Sequence, residues 1–300
     1  MINAILMVTL VVADLGAAER AYAEWLGYRV TARGAVSVQQ AADWGAPAAA
    51  GSRFVLLQSA SGADVHLRVI ERPPTAGFAA MRTHGWNSNE ILVTDPAALE
   101  RKFDRADSPF RVIGRTAPLG SNSAVIAMQA LGPAGELNYF TRIPPEGGSF
   151  IKTPAQAEVD RTFIVVLGGP SMTAMRRFYG EILGNPATEP YLSTVGVLQD
   201  ALGLAKDTQT ALALVPISPG FLIELDEYPP VTTSRPRRAG DLPPGMAMVS
   251  FTVDELREDA LDWYAKPTSR SEAPYHGRRA GIVLGAAGEW VELVERRSER

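Results

Sequence analysis

The chain repeats itself, and that repeat constrains the fold more than any other feature. The segment Ala21-Tyr22-Ala23-Glu24-Trp25-Leu26-Gly27 returns as Phe178-Tyr179-Gly180-Glu181-Ile182-Leu183-Gly184, about half the chain further on. An apolar run precedes each copy, Ile5 to Val12 and Phe163 to Leu167. Both runs are too short for helices and rich in β-branched residues, so they read as strands. Between strand and Leu-Gly the apolar residues keep helical spacing. Ala18, Tyr22 and Trp25/Leu26 share one face, as do Met175, Phe178/Tyr179 and Ile182/Leu183. Gly27 and Gly184 stand where a helix ends on a left-handed residue.

A second pair closes each half. Gly132-Pro133-Ala134-Gly135-Glu136-Leu137-Asn138-Tyr139-Phe140 matches Gly285-Ala286-Ala287-Gly288-Glu289-Trp290-Val291-Glu292-Leu293, a tight turn followed by a strand. Two more strand-to-helix starts follow. Glu90 to Thr94 leads into Asp95-Pro96 and a helix over Ala97 to Phe103, with Asp95 as its cap. Met248 to Val253 leads into Asp254 and a helix over Glu255 to Tyr264. Four units emerge, near residues 4–72, 84–143, 159–228 and 244–296. Pro144 to Ala155 reads as an interdomain linker, with Pro73-Pro74 and Pro229 to Pro244 as shorter joints. Gly168-Gly169-Pro170-Ser171 lacks the Gly-Lys-Ser/Thr ending of a phosphate loop and reads as a helix entry capped by Ser171.

Strand, Asp14-Leu15, then a helix ending Tyr22 to Gly27 resembles the opening of a vicinal-oxygen-chelate module. That superfamily spans the glyoxalase, bleomycin-resistance and extradiol-dioxygenase fold. The closing turn before Val291-Glu292-Leu293 resembles its last strand, whose glutamate is a metal ligand. The resemblance covers nearly the whole chain, and four modules in tandem resemble the ring-cleaving extradiol dioxygenases most. It implies an α+β fold of four βαβββ modules. They would pair into two domains, each a cupped, mixed eight-stranded sheet with helices outside and a ligand cavity inside. The expected division is residues 1–143, a linker over 144–158, and residues 159–300.

Length and composition agree: 300 residues with 46% hydrophobic side chains suit two globular domains. A net charge of -4 argues against nucleic acid, which demands a basic surface. The clusters Arg235-Pro236-Arg237-Arg238 and Arg278-Arg279 read as solvated loops, with phosphate or carboxylate binding as the minority reading. The absence of cysteine excludes disulfides and thiolate metal sites. Ile5 to Val12 is too short to span a bilayer, so no membrane association and a cytoplasmic location are expected.

The same alignment dismantles the family's metal site. Counting back from each helix to the position of the family's histidine finds Met7, Ser88-Asn89, Ile164 and Ala247-Met248. A thioether or alkyl group cannot replace imidazole for such an ion. The second half holds only His276, so one chain cannot build a two-histidine iron site there. No resident metal is expected, with a divalent ion such as Fe or Zn as the alternative. The resemblance implies that Glu292 and Glu224 enter the second cup together, as a candidate acid and base joined by His276. It places His66 and Tyr139 across the first cup. Met7, Met248 and Tyr275 complete the expected ligand contacts. Three functions follow: a metal-independent enzyme acting on a small, partly apolar molecule by carboxylate and imidazole chemistry; a non-catalytic binding or resistance protein; or a metal-dependent ring-cleaving dioxygenase. Either a monomer or a homodimer is compatible with this reading.

Overall fold

The computed structural model describes residues 1–119, 122–133, 135–144, 151, 153–218, 220–256 and 258–296. Part of the expected linker, residues 145–150 and 152, lies outside them. The first unit contributes β1 (Ile2–Val12), β2 (Arg29–Ala35), β3 (Arg53–Gln58) and β4 (His66–Glu71). The second contributes β5 (Gly85–Val93), β6 (Arg111–Leu119), β7 (Asn122–Leu131) and β8 (Leu137–Arg142). From the third come β9 (Val159–Gly169), β10 (Tyr191–Ser193), β11 (Thr210–Ser218) and β12 (Phe221–Glu227). The fourth supplies β13 (Gly245–Val253), β14 (Trp263–Ser269), β15 (Arg279–Leu284) and β16 (Trp290–Glu295).

These strands form two mixed eight-stranded sheets, ordered β14-β15-β16-β13-β1-β4-β3-β2 and β10-β11-β12-β9-β5-β8-β7-β6. The seam of the first is the antiparallel pair β1–β13, with Met7 opposite Ser250 and Thr9 opposite Met248. In the second it is β5–β9, with Ser88 opposite Val166 and Glu90 opposite Ile164. Unit one therefore pairs with unit four, and unit two with unit three. This corrects the expectation that residues 1–143 and 159–300 would each close a sheet of their own.

The Pro-rich connectors explain the exchange, because they cross between the sheets bonded to each other. Arg72 donates two bonds to Asp241, at 2.9 and 2.7 Å. His84 N donates to the Thr233 carbonyl, and Thr233 N to that of Arg82. Arg235 donates to the carbonyls of Trp86 and Met246 at 2.6 and 2.8 Å. The guanidinium of Arg237 lies over the Trp290 ring. Arg235 is thus a partly buried clasp, not part of a solvated loop.

Three helices lie between the sheets. The first, α1 (Leu15–Arg20), starts on Asp14, whose carboxylate accepts from Ala17 N at 2.9 Å, and widens into a π-helical turn over Ala21–Trp25. A second helix, α2 (Val38–Asp43), sits apart, its Ala41 buried with Trp44, Met248 and Trp290. Between the sheets α3 (Pro96–Phe103) follows the Asp95 cap, while α4 (Met172–Arg177) follows Ser171 and widens over Phe178–Ile182. Another short helix, α5 (Gly196–Leu202), joins β10 to β11. Tyr22, Phe103, Met175 and Tyr179 from the helices merge with Val8 and Leu10 of one sheet and Ile91 and Phe140 of the other into one core. Fully burying each such side chain contributes roughly 1.5–3 kcal/mol. Phe103 stacks on Phe110 with ring centroids 4.6 Å apart.

Unit four departs from the pattern. Where a helix over Glu255 to Tyr264 was expected, the described residues form turns, and β14 begins at Trp263. The Trp263 ring covers Gly281 of β15, leaving no room for a side chain there. Packing of that ring draws the segment into sheet pairing despite its helical spacing.

The two repeated motifs touch each other. Tyr22 Oη donates to the Glu136 carboxylate at 2.8 Å, and Tyr179 Oη to Glu289 at 3.0 Å. All four side chains are buried. Each hairpin is shaped for its glutamate. A Cβ on Gly132 or Gly285 would overlap the carboxylate of Glu136 or Glu289, while Gly135 and Gly288 adopt φ of +79° and +76°. The helix of each odd unit is thereby locked to the last hairpin of the following even unit. We expect Gly285→Ala to cost about 2–4 kcal/mol in urea denaturation, by evicting a buried carboxylate from its pocket. An exposed change such as Ala286→Ser should stay within about 0.5 kcal/mol.

Candidate functional site

The inner face of the first sheet is closed. Thr9, Arg68, Ser250 and Glu292 share its centre, with Thr9 opposite Arg68 on β1–β4 and Ser250 opposite Glu292 on β13–β16. Glu292 is fully buried. It accepts from Arg270 Nη1 at 2.5 Å, from Tyr275 Oη at 2.9 Å and from the Ser250 hydroxyl. Arg68 donates to Tyr275 Oη at 2.8 Å and to Thr9 Oγ1 at 3.1 Å. Its guanidinium lies 4.4 Å from the Trp44 ring centroid. Burial alone would lower the pKa of Arg270; Glu292, Tyr275 and Asp43 together outweigh it and leave it raised. Burial also pushes the Tyr275 phenol up to about 12, so it stays a donor.

The plug that fills this cup is α2 with Trp44. Unit four clasps it, with Arg270 Nη2 donating to the Asp43 carbonyl and Gln40 Nε2 to Glu272. Met7 and Met248 are buried on the same side, Met7 against Leu56 and Tyr275, Met248 against Trp44 and Trp290.

Around the second sheet's inner face the chemistry differs. Glu90 on β5 stands beside Tyr139 on β8, and Glu224 on β12 stands beside Val166 on β9. Strand alternation adds Asp226 and Tyr228 to the same face. Thr141 Oγ1 donates to Glu90 at 2.6 Å. Glu224 and Asp226, two residues apart on β12, interact directly with each other. Leu92, Ile164, Val166 and Leu222 wall one end of the cup. The other end is walled by Leu137 with Val197 and Leu198 of α5. Solvent reaches inside: Tyr139 and Glu224 are partly exposed, and Tyr191 at the rim is 45% exposed.

Among the described residues, no ion pair involves Glu90, Glu224 or Asp226. Burial pushes Glu90 up to about 8, with Glu224 adding to the shift and the Thr141 bond opposing it. Burial likewise raises Glu224, and it raises Asp226 well above the usual carboxylate range, assisted by Glu224. Glu90 therefore holds its proton near neutrality and can exchange it there, and burial shifts Glu224 and Asp226 in the same direction.

Changing the module partners redistributes the residues expected together. Glu292 and Glu224 occupy different cups, as do His66 and Tyr139, because their strands belong to different sheets. Tyr139 faces the second cup, whereas Met7, Met248 and Tyr275 pack the first. His66 lies at the end of β4, 2.9 Å from the Asp64 carboxylate. His276, with φ of +52°, lines an open groove of about 740 Å³ with Asn3, Asp64, Arg161 and Arg296. Sequence reasoning missed Glu90 and Asp226, although alternation from Ser88 and from Glu224 reaches both. It also missed Arg68 and Arg270; a lone arginine within the apolar run Leu67 to Ile70 was the signal for the first.

The family's divalent metal does not fit either cup. At the centre of the first, Arg68 and Arg270 supply positive charge where an ion would need donors. In the second, Val166 and Ile164 offer alkyl groups, and no three His, Asp or Glu of the described residues converge in ligating geometry.

Breaking the buried pair by Arg270→Met should cost about 3–5 kcal/mol, because it strands a buried carboxylate. Adding Glu292→Leu should recover most of that loss; urea midpoints of the single and double variants measure both. The raised carboxyl groups set a pH dependence of the opposite sense to acid denaturation. Glu90 in the folded chain retains its proton up to about 8, and Glu289, lifted by burial, up to about 7. The unfolded chain releases both near 4.5, the ordinary value for a glutamate. Their stabilising effect is therefore complete below that value and lost as pH rises through 7 to 8. Stability should fall by on the order of 5 kcal/mol between about pH 5.5 and 8.5, and Glu90→Gln should flatten the slope.

Comparison with known proteins is informative through structure. No family model matches the sequence, and no curated protein matches it. Glyoxalase I from Zea mays superposes with a TM-score of 0.64 at 14% identity, over 97% of this chain and 92% of that one. A dioxygenase-like protein from Bacillus subtilis gives 0.59 at 13% identity, over 99% and 86%. Identity this low speaks for the fold alone. The chain, with four modules in two mixed sheets, shares the overall fold of these two solved structures.

Proposed function

We propose that this protein binds a small, partly apolar molecule in the cup of the second sheet, and handles it with carboxyl groups and tyrosines without a metal ion. The observation behind this reading is the grouping of Glu90, Glu224, Asp226 and Tyr139 on one partly open, apolar-walled face, with no basic side chain paired to the acids. Burial keeps the Glu90 proton available near pH 7 and raises the proton affinity of Glu224 and Asp226 as well. Glu90 is the stronger candidate for a general acid, being held by a single hydroxyl; the Glu224–Asp226 pair shares a proton and can act as the base. Lyase and isomerase chemistry, which moves protons without redox change, suits such a pair.

A second reading is sequestration without turnover. It is favoured by the α5 side chains, which wall the cup with aliphatic groups and bring no reactive one. Both readings use the same cup, and one set of measurements separates them. Small hydrogen-bonding fragments should perturb the NMR ring signals of Tyr139, Tyr191 and Tyr228 and leave Tyr275 unchanged. Glu90→Gln and Glu224→Gln should keep the fold. Turnover lost with binding retained supports catalysis; equal binding with no reaction in any variant supports sequestration. Fragments that perturb Tyr275 instead, or stoichiometric iron or zinc on purified protein, would overturn the proposal.

A further inference from the structure

We infer that the second cup selects an organic cation, an ammonium carried on a small apolar body. The inference rests on the reading just given and narrows its ligand class. Two independent observations lead to it.

The first is the state of Asp226. This side chain is 3% exposed, faces the cup beside Glu224, and leaves its Oδ1 without any hydrogen-bond partner. A buried acceptor without a donor costs about 1–3 kcal/mol, so a ligand that brings a donor recovers that loss on binding. Glu90 and Glu224 add further acceptors. Tyr139, Tyr191 and Tyr228 supply aromatic rings around them, and ring faces attract ammonium groups.

The second is the chain's own treatment of the other cup. There a last-strand glutamate, Glu292, is met by a tyrosine and by the guanidinium of Arg270, itself 5.2 Å from the Tyr275 ring centroid. Glu224 holds the corresponding place on the last strand of unit three, facing tyrosines. No arginine or lysine of the described residues pairs with it. One cup carries an internal organic cation, and the other presents the matching acids and rings to solvent.

Every titratable group facing the acids is accounted for: Glu90 from β5, Tyr139 from β8, Tyr191 from β10, Glu224, Asp226 and Tyr228 from the β12 segment, and Arg235 from the connector. Arg235 faces Tyr228 and spends its Nη donors on the carbonyls of Trp86, Pro244 and Met246. A bound cation would therefore drive the carboxyl groups to ionise, so binding should release protons and tighten as pH rises from about 6 to 8.

The test compares three probes built on one phenylpropyl skeleton: 3-phenylpropylammonium, neutral 3-phenylpropan-1-ol and anionic 3-phenylpropanoate. Calorimetry in buffers of different ionisation heat gives affinity and proton release, and the tyrosine ring signals locate binding. We expect the cation to bind at least tenfold tighter than the alcohol, the anion to bind weakest, and protons to be released with the cation alone. Asp226→Asn should weaken the cation tenfold or more while sparing the alcohol; its thermal midpoint shows whether it folds. Should that variant fail to fold, the wild-type probe comparison and proton count decide by themselves. The alcohol or the anion binding as tightly as the cation, or cation binding without proton release, would overturn the inference and leave the cup a ligand site. No perturbation of Tyr139, Tyr191 or Tyr228 by any probe at millimolar concentration would overturn both.

Discussion

A carboxylate taken out of water must find a cation, hydrogen-bond donors or a proton, and this molecule meets that demand in three different ways. Glu292 is ionically paired with Arg270 and further held by Ser250 and Tyr275. Glu136 and Glu289 accept from the buried phenols of Tyr22 and Tyr179. Glu90, Glu224 and Asp226 are pushed by burial toward their protonated forms. Each solution has a distinct consequence. An ion pair closes a cavity, a phenol bond fixes a helix against a hairpin, and a retained proton leaves a group able to react or recognise.

The fixed contacts explain how the two cups come to exist. With Tyr22 locked to unit two and Tyr179 to unit four, α1 and α4 lie between the sheets and their backs share one core. The connectors then cross, tied by Arg72 and Asp241, so the first strand of unit one meets that of unit four. A cup built this way draws its two halves from opposite ends of the chain. Residues facing each other across a seam are therefore far apart in sequence, as Met7 and Ser250 are.

Much of the fold was legible, because strands, caps and turn glycines obey local rules. The four units, the Asp95 and Ser171 caps and the left-handed Gly27 and Gly184 all follow from spacing and residue type. The partner of each unit was not legible. It depends on bonds such as His84 to Thr233 between connectors distant in sequence, which no periodicity encodes. The helix expected over Glu255 to Tyr264 failed for a related reason: Trp263 has a ring-sized place over Gly281 that only the folded sheet reveals. At the sites, the resemblance pointed to Glu224 and Tyr139 as cup residues but gave each the wrong neighbour, Glu292 and His66, because it could not foresee which modules pair. Arg270 was not visible, since it lies in a loop and its value comes wholly from Glu292.

The contrast between the cups turns on what enters each from the connection between second and third strands. In unit one that connection carries α2 and Trp44, and the Trp44 ring covers Arg68, so the insert completes a stack of ring, guanidinium, phenol and carboxylate. Unit three carries α5 at the same point, with Val197 and Leu198 facing inward. Aliphatic side chains can exclude water from the acids but cannot neutralise them. One insert therefore ends the chemistry of its cup by saturating it, while the other raises the proton affinity of Glu90, Glu224 and Asp226 and leaves their remaining valence for a molecule from outside.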